Sequence, residues 1–239
     1  MRRLSCACLL FVTTQLQAAH PLITEDTGTQ GLGGWQLEVF GEDGKARGTG
    51  APLERQEAVL SYGIAETADV QLGLPWIRHA GGRGTGDVSL DLKLRFLVRG
   101  PLSLGLKPGI TLPTGDEGKG LGAGRVGWGS LLILSYDLES WAFHAHAGYK
   151  RNRNSLGERE FLEHLSGAIT AQAAPGVKVV VDFASTTSAN RSESRAERYL
   201  VFGAIWSVRK DLDLDLGLKV GSGAAALDEA LLLGMTVRW

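Results

Sequence analysis

The chain has 239 residues, 25 basic and 26 acidic, with a formal charge of −1 and 44% hydrophobic residues. That balance gives nucleic acid no electrostatic footing, and no apolar run approaches the roughly 20 residues that a spanning helix needs. A mean hydropathy near zero leaves a membrane barrel open, because half of every barrel strand faces a polar lumen.

Taken in order, the chain begins with Arg2 and Arg3, an apolar stretch over 4–12, and Ala18-Ala19. This is the pattern of a secretory signal peptide over 1–19, although the third position before the expected cut is not small. Cys6 and Cys8 both fall inside it, with too little apolar sequence before them for a lipoprotein anchor. The mature chain, starting near His20, then has no cysteine and no disulfide framework. Without Arg2 and Arg3 it carries 23 basic and 26 acidic side chains, a formal charge of −3. Residues 20–33 are polar, Gly-rich and without period, and are expected as a periplasmic lead-in to a barrel over 34–239.

From Trp35 onward apolar residues recur at every second position, the signature of strands with two unlike faces. Trp35, Leu37 and Val39 begin the series, followed by Ala58, Leu60 and Tyr62, then Val70, Leu72, Leu74 and Trp76. The fourth segment is the clearest. Val88, Leu90, Leu92, Leu94, Phe96 and Val98 alternate with Asp87, Ser89, Asp91, Lys93, Arg95 and Leu97. Further segments run through Leu102–Leu112, Trp128–Tyr136, Trp141–Tyr149, Leu165–Ala171 and Val177–Phe183. In the tenth, Tyr199, Val201 and Ile205 are expected to face outward, although Leu200, Phe202 and Trp206 blur the parity. The eleventh sets Leu212, Leu214, Leu216, Leu218 and Val220 against Asp211, Asp213, Asp215, Gly217 and Lys219. The twelfth ends the chain, with Leu231, Leu233, Met235, Val237 and Trp239 in one row. A last strand finishing on an aromatic suits a barrel that closes its final strand on its first, with the ring in the interfacial girdle.

Connections alternate between tight turns (64–68, 99–101, 137–140, 174–176, 209–210) and longer polar loops (41–51, 78–86, 113–125, 151–159, 186–196, 221–228). That rhythm belongs to an up-and-down barrel of about twelve antiparallel strands with both termini on the tight-turn side. Hydrocarbon offers backbone amides no partner, so without spanning helices the sheet must close.

The stretch Gly122-Ala-Gly124-Arg-Val-Gly127 has G-x-G-x-x-G spacing. It precedes a strand rather than linking a strand to a helix, so it reads as loop turns and not as a nucleotide site. His144 and His146 share the inward parity, with His164 and Ser166 nearby. Metal binding or acyl chemistry by these residues is the lesser alternative to polar lumen lining. The inward parity also gathers Lys93, Arg95, Lys107, Lys178, Asp182, Asp213 and Lys219. With His144 and His146 these are the candidate lumen residues, able either to line a water-filled path or to pair off and close the lumen. Their mixed signs argue against strong ion selectivity. No catalytic residue, metal or cofactor is expected.

Three motifs carry a resemblance: His20-Pro-Leu-Ile-Thr-Glu-Asp-Thr-Gly-Thr-Gln-Gly31 before the first strand, Ser61-Tyr-Gly-Ile-Ala-Glu66 at the first tight turn, and Leu112-Pro-Thr-Gly-Asp-Glu-Gly-Lys-Gly-Leu-Gly-Ala-Gly124. Together they resemble the outer-membrane family associated with the meta-cleavage pathway of phenol degradation, a broad group described as transporters. The resemblance spans nearly the whole mature chain. It implies a barrel and uptake of small compounds, aromatic ones among them, and it brings no binding residues to map. The expectation is a monomeric Gram-negative outer-membrane barrel, inserted by the barrel assembly machinery, that passes small solutes passively. The alternatives are a non-conducting structural barrel with a salt-bridged lumen and, more remotely, an outer-membrane enzyme.

Overall fold

The computed structural model describes residues 20–239, so the leader expected over 1–19 lies outside the described residues. The elements in chain order are β1 (Trp35–Ala46), β2 (Pro52–Ala65), β3 (Ala68–His79), β4 (Gly82–Thr85), β5 (Val88–Arg99), β6 (Leu102–Leu112), a 3-10 turn (Glu117–Lys119), β7 (Gly127–Asp137), β8 (Trp141–Arg151), β9 (Phe161–Ala174), β10 (Val177–Thr186), β11 (Glu197–Arg209), β12 (Leu212–Gly223) and β13 (Leu227–Arg238). Every pairing is antiparallel; all join strands consecutive in sequence except β3–β5, which flanks the short β4, and β1–β13, which closes the cylinder.

β4 is the upper end of β5 rather than a separate wall strand. Thr85 pairs with Trp76, the Gly86 N–H donates to the Pro75 carbonyl at 2.9 Å, and Ser89 pairs with Gly73. Three residues on one strand thus face two on the other, which is a bulge. The wall therefore has twelve strands, as the alternating pattern requires.

Closure continues to the last residue. β1 and β13 pair from Gln36↔Arg238 to Ala46↔Leu227. Beyond them Trp35 and Trp239 exchange backbone hydrogen bonds of 2.9 and 3.1 Å, and their rings stack 5° from parallel. No edge is left for a second chain to pair with, and no amide row faces hydrocarbon.

The two faces separate as the period-two pattern requires. Along β12, Leu214, Leu216 and Leu218 are exposed on the outer face, while Asp213 and Asp215 are buried on the inner one. Trp35, Tyr62, Trp141, Trp206 and Trp239 mark the tight-turn end, and Trp128, Tyr149 and Phe161 the loop end, as interfacial girdles do. β11 has the opposite phase to the one expected. Leu200, Phe202 and Trp206 are exposed on the outside, and Val201 and Ile205 are buried inside. The physical reason lies in the lumen. Pro21 packs on Gly203 between them, so the inner face here meets protein rather than water and tolerates apolar side chains.

Three expected loops are shorter than the polar sequence suggests, the third, 221–228, being reduced to residues 224–226 between β12 and β13. β1 and β2 continue as a hairpin to a turn over 47–51, and β3 and β4 continue to a turn over 80–81. Beyond the lipid a strand needs no apolar row, so the hairpins remain paired while the pattern fades. The remaining loops hold one another. Arg47 N–H donates to Ala226, Ala224 to Ala196, Arg159 to Ala189 and Ser155 to Ala123. The Asp87 carboxylate accepts the N–H groups of Gly115 and Ala123, fixing the 113–126 loop. The glycines of the G-x-G-x-x-G stretch serve that loop, with Gly124 at φ 68°.

Leu216, on the outer face of the middle of β12, supplies a test. Leu216→Lys should lower the unfolding free energy in lipid vesicles by about 2–4 kcal/mol, as a cation at the bilayer midplane does. A change within about 0.5 kcal/mol, typical of a water-exposed site, would place this face outside the lipid.

Candidate functional site

Residues 20–33, expected as a periplasmic lead-in to the barrel, run inside it. Followed backward from Gly34, the segment enters at the tight-turn end. There the Gly33 N–H donates to the Gly63 carbonyl at 2.8 Å, and the Gln30 N–H donates to the Asp69 carboxylate on β3. Thr27 then meets β6 and β7. Its N–H donates to Ser135 Oγ at 3.1 Å, and its hydroxyl bonds Ser103. Glu25 and Asp26 lie over β5 and β6. Lys93 Nζ reaches Glu25 at 2.9 Å and Asp26 at 3.0 Å, and Lys107 Nζ reaches the other oxygen of Glu25 at 2.8 Å. The Glu25 N–H donates to His146 Nδ1 on β8 at 3.0 Å. Asp182 on β10 accepts the N–H groups of Ile23 and Thr24 at 2.6 and 2.7 Å. The Thr24 hydroxyl lies 2.7 Å from both Asp182 Oδ1 and Ser166 Oγ. One hydroxyl carries one proton, so it donates to the carboxylate and accepts from the serine. Pro21 crosses β11 and β12. His20 bonds Asp215 on β12 and stacks on Phe40 of β1, ring centroids 4.6 Å apart. The segment is a belt that follows the inner wall nearly all the way round.

The wall is shaped to receive it. A Cβ at Gly63 would fall 1.6 Å from the Gly31 carbonyl oxygen, and one at Gly203 would fall 2.6 Å from Pro21 Cγ. At Gly217 it would fall 2.9 Å from Pro21 Cβ, and at Gly234 2.6 Å from His20 Nδ1. Glycine is required at these four places by the closeness of approach. The polar contacts matter equally. Lys93 and Asp26 are almost fully buried, with side chains 5% and 3% exposed. Ions removed from water to that degree persist only when paired and hydrogen-bonded.

These contacts account for four of the nine candidate lumen residues. Lys93, Lys107, His146 and Asp182 hold the belt. Lys219 pairs with Glu42 at 2.8 Å and lies over the Tyr199 ring, and Asp213 pairs with Arg238 at 2.8 Å. Arg95 Nη2 donates to the Glu66 carbonyl, and Lys178 stands half-buried on β10 toward the tight-turn end. His144 Nδ1 lies 2.9 Å from Ser135 Oγ, a serine–histidine contact. Both residues are buried, and the serine already holds Thr27, so a substrate has no approach to them. His164 packs against His146, the rings tilted by 45°, and bonds Thr186. Among the described residues no three His, Cys, Asp or Glu side chains converge as metal ligands.

The belt lies against β5–β12 at mid-height but leaves the inner wall of β1–β3 largely uncovered. A cavity of about 250 Å³ remains there. Its belt side is formed by Leu22, Ile23, Thr24 and Glu25, and its wall side by Glu38, Phe40, Glu57, Val59, Gln71 and Lys107. Lys107 also borders a second inner-wall cavity of about 170 Å³ that contains Asp91 and Lys150. Sequence reasoning missed Glu25, Asp26, Glu38, Phe40, Glu57 and Gln71. The last four were within reach of the same period-two rule, which puts 38 and 40, 57 and 59, and 71 on the inward face of the first three strands. Glu25 and Asp26 left no such signal, since their partners lie 67 to 82 residues away.

A closed antiparallel sheet, apolar outside and polar within, defines a membrane-spanning β-barrel, here with its own leading segment inserted. The chain belongs to the family described as "Putative MetA-pathway of phenol degradation", whose pattern matches residues 24–239. It is thereby an outer-membrane barrel of the porin-like kind. Among solved structures it is similar to the COG4313 outer-membrane channel from Pseudomonas putida F1. That similarity has a TM-score of 0.70 at 16% identity and covers 90% of this chain and 98% of that one. It is also similar to the KdgM porin (TM-score 0.62, 6% identity, 84% of this chain and 98% of that one). The NanC porin compares at TM-score 0.57 and 12% identity over the same shares. At these identities the similarities show the fold. No curated protein sequence matches the chain.

Lys93→Met tests the belt. It strands Glu25 and Asp26 without their shared cation, and breaking a buried ion pair from one side costs about 3–5 kcal/mol. The segment should leave the wall and become cleavable by added protease, while the barrel still resists SDS at room temperature. Adding Glu25→Gln and Asp26→Asn should restore part of the protection. Unchanged protease resistance in Lys93→Met would show that the ion pairs do not hold the belt.

Proposed function

We propose that the protein passes small solutes passively across the outer membrane, aromatic ones among them, through the gap between the belt and β1–β3. The observation that carries this reading is the cavity of about 250 Å³ left open there, while hydrogen bonds and ion pairs hold the belt to the wall elsewhere. At liquid density that volume corresponds to about eight waters, enough for a single-ring compound. Phe40, with His20 stacked on it, gives the gap an aromatic wall. The family's association with phenol degradation supports an aromatic solute. In this reading the leader exports the chain, the assembly machinery inserts it as a monomer, and the solute is its ligand. Lys107 lines the path, while Lys93, Arg95, His144, His146, Lys178, Asp182, Asp213 and Lys219 support the wall around it.

A second reading, a non-conducting barrel, is favoured by one observation, the buried and fully paired belt. Planar-bilayer recording with purified protein separates the two. Passage predicts small unitary currents that phenol in the bath reduces, with the reduction relieved by Phe40→Ala. A complete absence of current would establish the plugged barrel. Current indifferent to phenol would remove the aromatic part of the proposal.

A further inference from the structure

The donors and acceptors around the gap are unbalanced. Three carboxylates border it, those of Glu25, Glu38 and Glu57. Both oxygens of Glu25 are taken, one by Lys93 and one by Lys107. Glu57 Oε2 accepts from the Arg55 guanidinium. Glu38 has neither an ion-pair nor a hydrogen-bond partner among the described residues. Gln71 repeats the pattern. It is only 4% exposed, its Nε2 donates to Ser61 Oγ at 3.1 Å, and its Oε1 is buried with no partner. Of the donors on the lining, the Lys107 ammonium is paired with Glu25 and His20 Nδ1 with Asp215. A buried acceptor without a donor costs free energy, and a free carboxylate beside it adds negative potential in a narrow, water-poor space. The rest of the lining is apolar or aromatic, with Phe40, Val59, Leu22 and Ile23.

We propose that this gap is a binding site for a small organic cation, an ammonium group on an apolar or aromatic body. The ammonium pairs with Glu38, a turn of the Gln71 side chain would present its buried Oε1 as a second acceptor, and the body packs on Phe40 and Val59. A bare metal ion would forfeit the apolar walls, and an organic anion would face three carboxylates against the single ammonium of Lys107, which Glu25 already pairs. The Phe40 ring adds the attraction of a π face for a cation. The inference deepens the passage reading and rests on the gap being the solute's path. It overrides the sequence expectation of weak selectivity, because the belt neutralises the inner lysines and leaves Glu38 unopposed.

The test uses three probes of one shape: benzylammonium, benzyl alcohol and benzoate. Titration calorimetry with the full mature chain in detergent should show benzylammonium binding at least tenfold tighter than benzyl alcohol, and benzoate not binding. Glu38→Gln, isosteric and still SDS-resistant, should weaken benzylammonium about tenfold and leave benzyl alcohol unchanged. Equal binding of benzoate and benzylammonium, or an indifferent Glu38→Gln, would overturn the proposal, and so would a preference for the neutral alcohol. Reversal potentials under a salt gradient separate this proposal from the passage reading. Cation preference that falls toward zero in Glu38→Gln supports both. Calorimetric binding without current upholds the site and overturns the path. Current without charge preference upholds the path and overturns the cation site.

Discussion

An amide group in hydrocarbon has no water to bond, so its partner must come from the chain itself. This chain meets that demand with a sheet that closes on itself, and the closure runs to the terminal residue. The exchanged bonds between Trp35 and Trp239 are its last link. Much else follows from it. An even set of wall strands returns the chain to the side on which it entered. The two ends differ in loop length. Each strand must sort its side chains between lipid and lumen, which is why Leu214, Leu216 and Leu218 alternate with Asp213, Asp215 and Gly217. A twelve-stranded cylinder also encloses more space than wall side chains alone fill, and this one fills part of it with its own N-terminal segment.

The belt solves a problem that the wall creates. Lys93 on β5 and Lys107 on β6 point inward at mid-height, and the rest of the inner wall gives Lys93 no carboxylate among its ion pairs. Glu25 and Asp26 arrive on the belt as adjacent acids and bind both lysines, while Asp182 does the converse, a wall carboxylate receiving the belt's N–H groups. Donors and acceptors are therefore exchanged in both directions between wall and insert. Such a contact fixes one register for the insert. Sliding the belt by one residue would part Glu25 from its lysines and drive Pro21 away from the two glycines that admit it.

How much of this the sequence discloses depends on the environment each residue meets. Strands are legible because lipid and water make opposite demands on adjacent positions, and β5, β12 and β13 show it cleanly. β11 was read in the wrong phase because its inner face meets the belt rather than water. There Val201 and Ile205 are as apolar as Leu200 and Phe202, and the contrast that period-two reasoning uses disappears. The belt itself was hidden for a related reason. A segment such as 20–33, polar, short and rich in glycine, has the composition of a solvated tail, and only its partners distinguish it from one. Those partners are scattered over nine strands. Gly203, Gly217 and Gly234 were a signal of a kind, since glycine within a strand marks close approach of another backbone or ligand, but they do not say what approaches.

The same insertion sets the character of the space that remains. In a bare cylinder Lys93 and Lys107 would oppose Glu38, Glu57 and Asp91, and the mid-height lumen would be of mixed sign. The belt adds two carboxylates and spends both on the lysines, so the positive side of the balance is cancelled where the belt lies. At mid-height it lies against β5–β12 and covers β1–β3 least, which leaves the larger unfilled volume at the strands that carry Glu38, Glu57 and Gln71. The charge around the remaining space is thus a property of the insert as much as of the wall. Two barrels with identical inner strands and different leading segments would differ in the size of the opening and in the sign of the charge around it.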